Sequence, residues 1–356
     1  IFLSSLFIMM NNEDRKIILN KNGDILLMEN IRIKTANQET ITAEEPLRFY
    51  VYRDISGPGT YEIRGSIGQV VNGLTTEWYP TNFAGFYYDI DDNLGTEMLT
   101  MTVTGDALDE PYGMFYTIEA QIKDFEFQDW GTFYAMAFMG QLYFAGYITE
   151  EDGTSDEILN EATTSNLLGS ALLSKILVDD SRSMVVASGE TVELSEGYAL
   201  RPQTGIDDEG ILVELLYDDI VIDRIAVLPP TTYVYSKDMG GAQGVPIIAA
   251  YFLKPVSLKD ESYCKIDGLW QISDSPVSIE EDAIYDKMTV QYVDPDSMKI
   301  VMDNEDNKIA LSKNKDIALM ENFRIKTADQ DEITAEEPLR FYVYKTVTVS
   351  GSEEVI

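Results

Sequence analysis

The chain contains no histidine, and its only cysteine is Cys264. Without histidine there is no Ser-His-Asp or Cys-His nucleophile pair, and the usual imidazole ligands of zinc and haem are missing. A single cysteine forms no intrachain disulfide. With no thiol cluster around it, Cys264 reads as a small core residue and not a nucleophile. Bases are scarce: 26 Lys and Arg stand against 62 Asp and Glu, for a formal net charge of −36. Phosphate backbones are held by Lys and Arg, so nucleic acid is excluded as a partner. Anionic lipid would also repel the chain. Long apolar runs are absent. The run IFLSSLFIMM at 1–10 is far shorter than the ~20 residues that cross a bilayer, so no direct membrane insertion is expected of this chain. That run, which has no basic flank, reads as a buried strand or as the remnant of a signal-peptide apolar core.

What is present suits a globular chain of two or three domains, with 356 residues and 45% apolar composition. Period-2 alternation dominates, the signal of half-buried strands. In FRIKTAD, Phe323, Ile325 and Thr327 share one face; in LRFYVYK, Leu339, Phe341 and Val343 do. Further strands read at 60–67, 98–105, 231–237 and 287–293. ILVELLY (211–217), Asp218-Asp219 and IVIDRIAVL read as two strands around a tight acidic turn. Short strands separated by turns indicate β-sandwiches. Residues 157–177 carry the pattern of a short helix and mark the cut between two domains.

AEEPLRFYVY occurs twice, at 43–52 and at 335–344. The duplication runs without a gap from Ile8/Ile300 to Arg53/Lys345, with about three positions in four identical. Copies this close indicate a unit repeated along a longer sequence. A weaker echo sets Met184, Val186, Val192, Leu194, Tyr198 and Leu200 against Ile309, Leu311, Ile317, Leu319, Phe323 and Ile325.

GTYEIRGSI (59–67), NFAGFYYDIDDNLGTE (82–97) and FMGQLYFAGY (138–147) resemble the first half of the methanogen-type archaeal S-layer duplication domain. SKILVDD (174–180), LSEGYALR (194–201), YVYSKDMGGAQGVPIIAAYF (233–252) and IDGLWQISD (266–274) resemble its second half. The resemblance runs in order over about residues 59–347. It implies two β-sandwiches per unit, units in tandem, and a self-assembled protein coat outside an archaeal cell. Members of that family end in an acidic tether and a membrane anchor and carry Asn-X-Ser/Thr sites. This sequence stops at GSEEVI and has no such site. It is thus expected to be a section of a longer protein or a relative that assembles without an anchor.

The expected fold is all-β: two β-sandwich domains per unit plus a duplicated N-terminal strand segment. Segment 1–55 duplicates 293–347 and either completes a sandwich in a neighbouring subunit or is the tail of a preceding unit. Residues 56–155 with 276–350 form the first sandwich, and 156–275 the second. The expected partner is the protein itself, a homo-polymer joined through residues 1–55 and sandwich edges as a coat, a tube or a strand-donated filament.

Candidate chemistry is thin. DIDDN places Asp89, Asp91, Asp92 and Asn93 at the alternating spacing that suits Ca²⁺ or another divalent cation, but without an EF-hand Gly-x₅-Glu tail. A solvated acidic turn is the competing reading. Asp207-Asp208-Glu209, Asp179-Asp180 and Asp329 with Asp331-Glu332 are weaker candidates of the same kind. No other cofactor is expected. Paired carboxylates are too numerous here to single out a glycosidase. Trp78, Trp130 and Trp270 suit an aromatic core or interface better than the sugar platform of a carbohydrate-binding sandwich. GGAQG (240–244) reads as a turn before a strand and not as a phosphate loop. No enzymatic activity is expected.

Overall fold

The computed structural model describes residues 7–8, 17–38, 40–55, 57–148, 158, 166–206, 210–258 and 261–349. Among them there is no α-helix; the two helical turns, Gln128–Trp130 and Leu168–Ser170, are 3-10. The fold is all-β, as the period-2 patterning requires. No helix among the described residues is long and apolar enough to cross a membrane.

The chain divides into two compact units. The first comprises Ile1–Met114, Tyr285–Met288 and Asn304–Ile356. Here the first copy of the duplicated segment forms an antiparallel sheet of β1 (Asp24–Met28), β2 (Ile31–Thr35) and β3 (Phe49–Arg53), in that order. β4 (Gly59–Gln69) follows. The second copy repeats the pattern as β5 (Asp316–Met320), β6 (Phe323–Thr327) and β7 (Arg340–Val349). Its sheet has one more member, because β4 pairs with β7 to give the order β5-β6-β7-β4. Side-chain burial alternates as expected: Phe323, Ile325 and Thr327 are buried, as are Leu339, Phe341 and Val343. Trp78, Phe83, Phe86 and Phe323 fill the core beneath β4 and β6. Gly65 and Gly68 admit that packing: a Cβ there would lie 2.7 Å from the Trp78 ring and 2.7 Å from the Phe341 ring.

The second unit comprises Phe115–Ile284 and Thr289–Asp303. A long sheet runs through Gln121–Asp124, Thr132–Phe138, Gln141–Tyr147, Leu172–Asp180, Glu261–Ile272, Ala242–Leu258 and Thr231–Met239. A four-stranded sheet is built from Val192–Glu193, Tyr198–Ile206, Gly210–Tyr217 and Ile220–Val227. Its last hairpin turns on Asp218 and Asp219, both at positive φ (47° and 65°), the acidic turn read from the sequence. Glu214 is buried in this sheet with Arg201 at 2.6 Å and Arg224 also in contact. The Arg201 guanidinium in particular holds its carboxyl below the usual carboxylate range.

One local expectation is corrected. Residues 157–177 form no α-helix where they are described, and their one helical turn there is the 3-10 turn Leu168–Ser170. Leu172–Asp180 is a strand, entered through Ala171 at a φ of 53°. Its alternating LLSKILVDD pattern finds a ladder partner in Glu261–Ile272, so tertiary pairing overrides helix propensity. Gln141–Tyr147 pairs with Leu172–Asp180 through Tyr143↔Lys175 and Phe144↔Ser174, which keeps residues 115–148 with the second unit. Of the apolar run 1–10, Phe7–Ile8 is a strand paired with Ile17–Ile18, and the remainder lies outside the described residues.

Candidate assembly interface

The two copies are close to superimposable in their local chemistry. Thr35 Oγ1 accepts the Gly23 amide at 2.7 Å and donates to the Asn20 carbonyl at 2.5 Å. Thr327 repeats both bonds, with Lys315 at 2.8 Å and Ser312 at 2.6 Å. Arg32 pairs with Asp24 at 2.7 Å, and Arg324 with Asp316 at 2.8 Å. Tyr52 and Tyr344 donate to those same two aspartates. Asn22 and Asn314 share a positive φ, as do Glu29 and Glu321. The registers match, with Ile33↔Val51 in one copy and Ile325↔Val343 in the other. Short-range hydrogen bonding and turn chemistry therefore build one strand set twice.

Their surroundings differ. Phe49, Val51 and Met28 are 38%, 57% and 52% exposed, whereas Phe341, Val343 and Met320 are 1%, 0% and 0% exposed. The second copy is covered; much of the same apolar face in the first is open. The ladder differs in the same sense. β7 is bonded to β6 on one side and β4 on the other, but among the described residues β3 is bonded only to β2. Beside β3 lies a groove of about 1120 Å³. Arg48–Asp54 lines it together with Tyr61–Arg64 of β4 and residues from Pro80 to Tyr88.

The ladder between β7 and β4 carries a polar clasp. Glu62 of β4 receives Lys326 at 2.8 Å and Arg64 at 2.6 Å, and Tyr342 donates to it at 3.3 Å. The Lys326 ammonium, with Arg64 behind it, holds the Glu62 carboxyl below its ordinary value. Lys34 and Tyr50 are the first-copy counterparts of Lys326 and Tyr342, and no β4 lies along their strand edge.

A different face of the first copy is covered where the second is open. Arg48 donates from Nε to the Ile90 carbonyl at 2.9 Å and from Nη2 to the Asp91 carbonyl at 2.7 Å. The Asn37 amide donates to Asp91 Oδ1 at 2.7 Å. Ala36 and Gln38 are buried there. Arg340, the counterpart of Arg48, is exposed and bonds Gln330 at 3.3 Å. The acidic turn is thus held by Asn37 and Arg48 of the first copy. Its closure is a bridge between Asp89 and Leu94. Asp89 Oδ1 accepts the Asp91 amide at 2.9 Å, and Asn93 Oδ1 accepts the Tyr88 hydroxyl at 2.8 Å. Among the described residues no group of three or more Asp, Glu, His or Cys converges in a way that could hold a metal ion. The Arg48 contact carries no sequence signal, because Arg stands at the same place in both copies.

The remaining candidates are distributed as follows. Trp78, Trp130 and Trp270 are buried, with their indole N–H groups donating to Ser66 O, Thr232 Oγ1 and Tyr147 Oη. They are core, as expected. Burial also pushes the Tyr147 phenol up. Cys264 is buried in Glu261–Ile272, and desolvation pushes its thiol up to about 11, the opposite of an activated nucleophile. Asp180 pairs with Arg182 at 2.6 Å, and Asp179 accepts the Glu126 amide at 3.0 Å. Asp329 lies 3.5 Å from Lys313. Asp207-Asp208-Glu209 lies outside the described residues. Gly240-Gly241 turns the hairpin that closes at Met239↔Ala242.

Comparison with known proteins agrees with this picture. A family model described as S-layer protein matches residues 68–329. The major S-layer protein of Methanosarcina acetivorans is 30% identical over 335 residues, which cover 88% of this chain and 46% of that protein. Those of Methanosarcina mazei and Methanosarcina barkeri are each 27% identical, covering 96% and 93% of this chain. The chain spans just under half the length of these curated relatives. With the match extending over most of the residues that form both units, the chain belongs to the S-layer protein family.

Proposed function

We propose that this chain is a structural element of an archaeal surface layer, working outside the cell as part of a self-associated protein coat and performing no catalysis. The observation that carries the reading is the family match over residues 68–329, which begins after the first duplicated copy. The chemistry of the described residues is in keeping with it: the tryptophans and the thiol are packed away, and open apolar edges are available for association. One is the first-copy sheet; another is the strand Ile220–Val227, where Ile220, Ile222 and Ile225 are exposed. Exposed edge strands are templates for pairing with another chain. A net charge of −36 makes the coat anion-repelling and its assembly dependent on salt or divalent cations.

A free filament built by strand donation is the second reading, favoured by the exposure of Phe49 and Val51 in a sequence that buries them elsewhere. Negative-stain electron microscopy of the purified chain over a range of NaCl and CaCl₂ concentrations tests both. Ordered two-dimensional or tubular arrays are expected, and single-stranded fibres would favour the filament. A chain that stays monodisperse under all conditions would remove the coat reading.

A further inference from the structure

We propose that the open edge of β3 is a strand-binding site, and that its occupant is a β4-type strand, the sequence GTYEIRGSIGQ or its equivalent, from a further copy of the repeat. The second copy serves as the reference for the first. β7 and β3 share the residues FYVY, the same ladder on their inner side and the same local hydrogen bonds. β7 holds β4 along nine register pairs, from Arg340↔Gln69 to Val349↔Gly59. β3 offers the same outward-facing backbone groups and, from Phe49 to Tyr52, the same side chains, and among the described residues its outer edge belongs to no ladder. This chain's own β4 is already held by β7, so the occupant comes from another copy. The groove beside β3 gives that strand a place.

The known ladder fixes the register. Tyr342 stands opposite Ile67 and Tyr344 opposite Arg64, so Tyr50 should face the Ile67 equivalent and Tyr52 the Arg64 equivalent. The glutamate equivalent to Glu62 then reaches Lys34, as Glu62 reaches Lys326. Main-chain bonds supply affinity, and alternate side chains supply specificity, as in other strand-addition sites. The proposal deepens the self-association reading by naming one contact. It rests on the duplication and not on coat formation, so arrays can fail to form while strand binding stands, and the reverse.

The test is a fluorescent synthetic peptide of residues 59–69 titrated into the full chain. One saturable site is expected. Val51→Asp in the chain should weaken it at least tenfold; Val51 is exposed, so that variant should fold. Glu62→Gln in the peptide should weaken it several-fold. A register test pairs Tyr50→Cys in the chain with Ile67→Cys in the peptide. Disulfide formation should be faster than with a Thr60→Cys peptide, and Cys264 is buried and should not compete. A short peptide pays an ordering cost on binding. The same strand is therefore also fused to the N-terminus through a Gly/Ser linker, where it should slow amide exchange at residues 49–53. Absence of binding in trans together with absence of protection in the fusion would overturn the proposal. So would binding indifferent to Val51→Asp, or cross-linking without register preference.

Discussion

Residues 24–53 and 316–345 are two readings of nearly one sequence. In both, threonine closes the same turn, arginine meets the same aspartate and the β-ladder keeps the same register. What differs is what stands beside them. β7 has β4 and a covered face; β3 has an open groove and solvent. Local structure in this protein is therefore set by local sequence, while burial is set by which other strand arrives. Nothing in FYVY distinguishes a core strand from an edge strand, and a period-2 pattern reports only that one face is meant to be covered.

That comparison can be broken most forcefully at Val343 and Val51. Val343→Asp places an unpaired charge in the core and should cost about 3–5 kcal/mol, enough to unfold the first unit in a thermal or urea melt. Val51→Asp should stay within about 0.5 kcal/mol in the same melt, since its side chain already faces water. Equal effects would mean that the first copy is as covered as the second. Phe341→Ala should cost about 3–4 kcal/mol, and Phe49→Ala less than about 1 kcal/mol.

The Arg pair reverses the order. Arg48→Ala removes two charge-assisted bonds to the acidic turn and should cost about 1–3 kcal/mol of local stability, read as faster amide exchange at Asn37. Arg340→Ala loses one exposed bond to a glutamine and should cost less than about 1 kcal/mol.

The smallest effect is a pH dependence. Lys326 and Arg64 depress the Glu62 carboxyl below its unfolded value, so its stabilising contribution is present above that value and is lost as pH falls through the folded one. Glu62→Gln should therefore lower the melting temperature of the first unit near about pH 7 and make little difference near about pH 2. The first copy, with no Glu62 opposite Lys34, should show no such step in exchange at residues 31–35.

Much of the fold was legible in sequence because alternation and turn residues act locally. Phe323/Ile325/Thr327 and Leu339/Phe341/Val343 fall on buried faces as read, and Asp218-Asp219 turns its hairpin. The segment 157–177 misled because LLGSALLSKIL satisfies a helical period as well as an alternating one, and only pairing with Glu261–Ile272 decides between them. The acidic turn was visible as a cluster of oxygen ligands. Its engagement by Arg48 and Asn37 depends on a contact across more than forty residues that no spacing encodes.

The most direct test of the central claim is hydrogen exchange measured by mass spectrometry on the full chain. The informative fragments extend past Arg53 or Lys345, where the copies diverge and can be told apart. Amides of Phe341–Lys345 should exchange at least ~10-fold more slowly than those of Phe49–Arg53, because one strand is bonded on both sides and the other on one. Equal protection of the two strands would contradict it, since β3 would then already have a partner and the two copies would not differ in the way described.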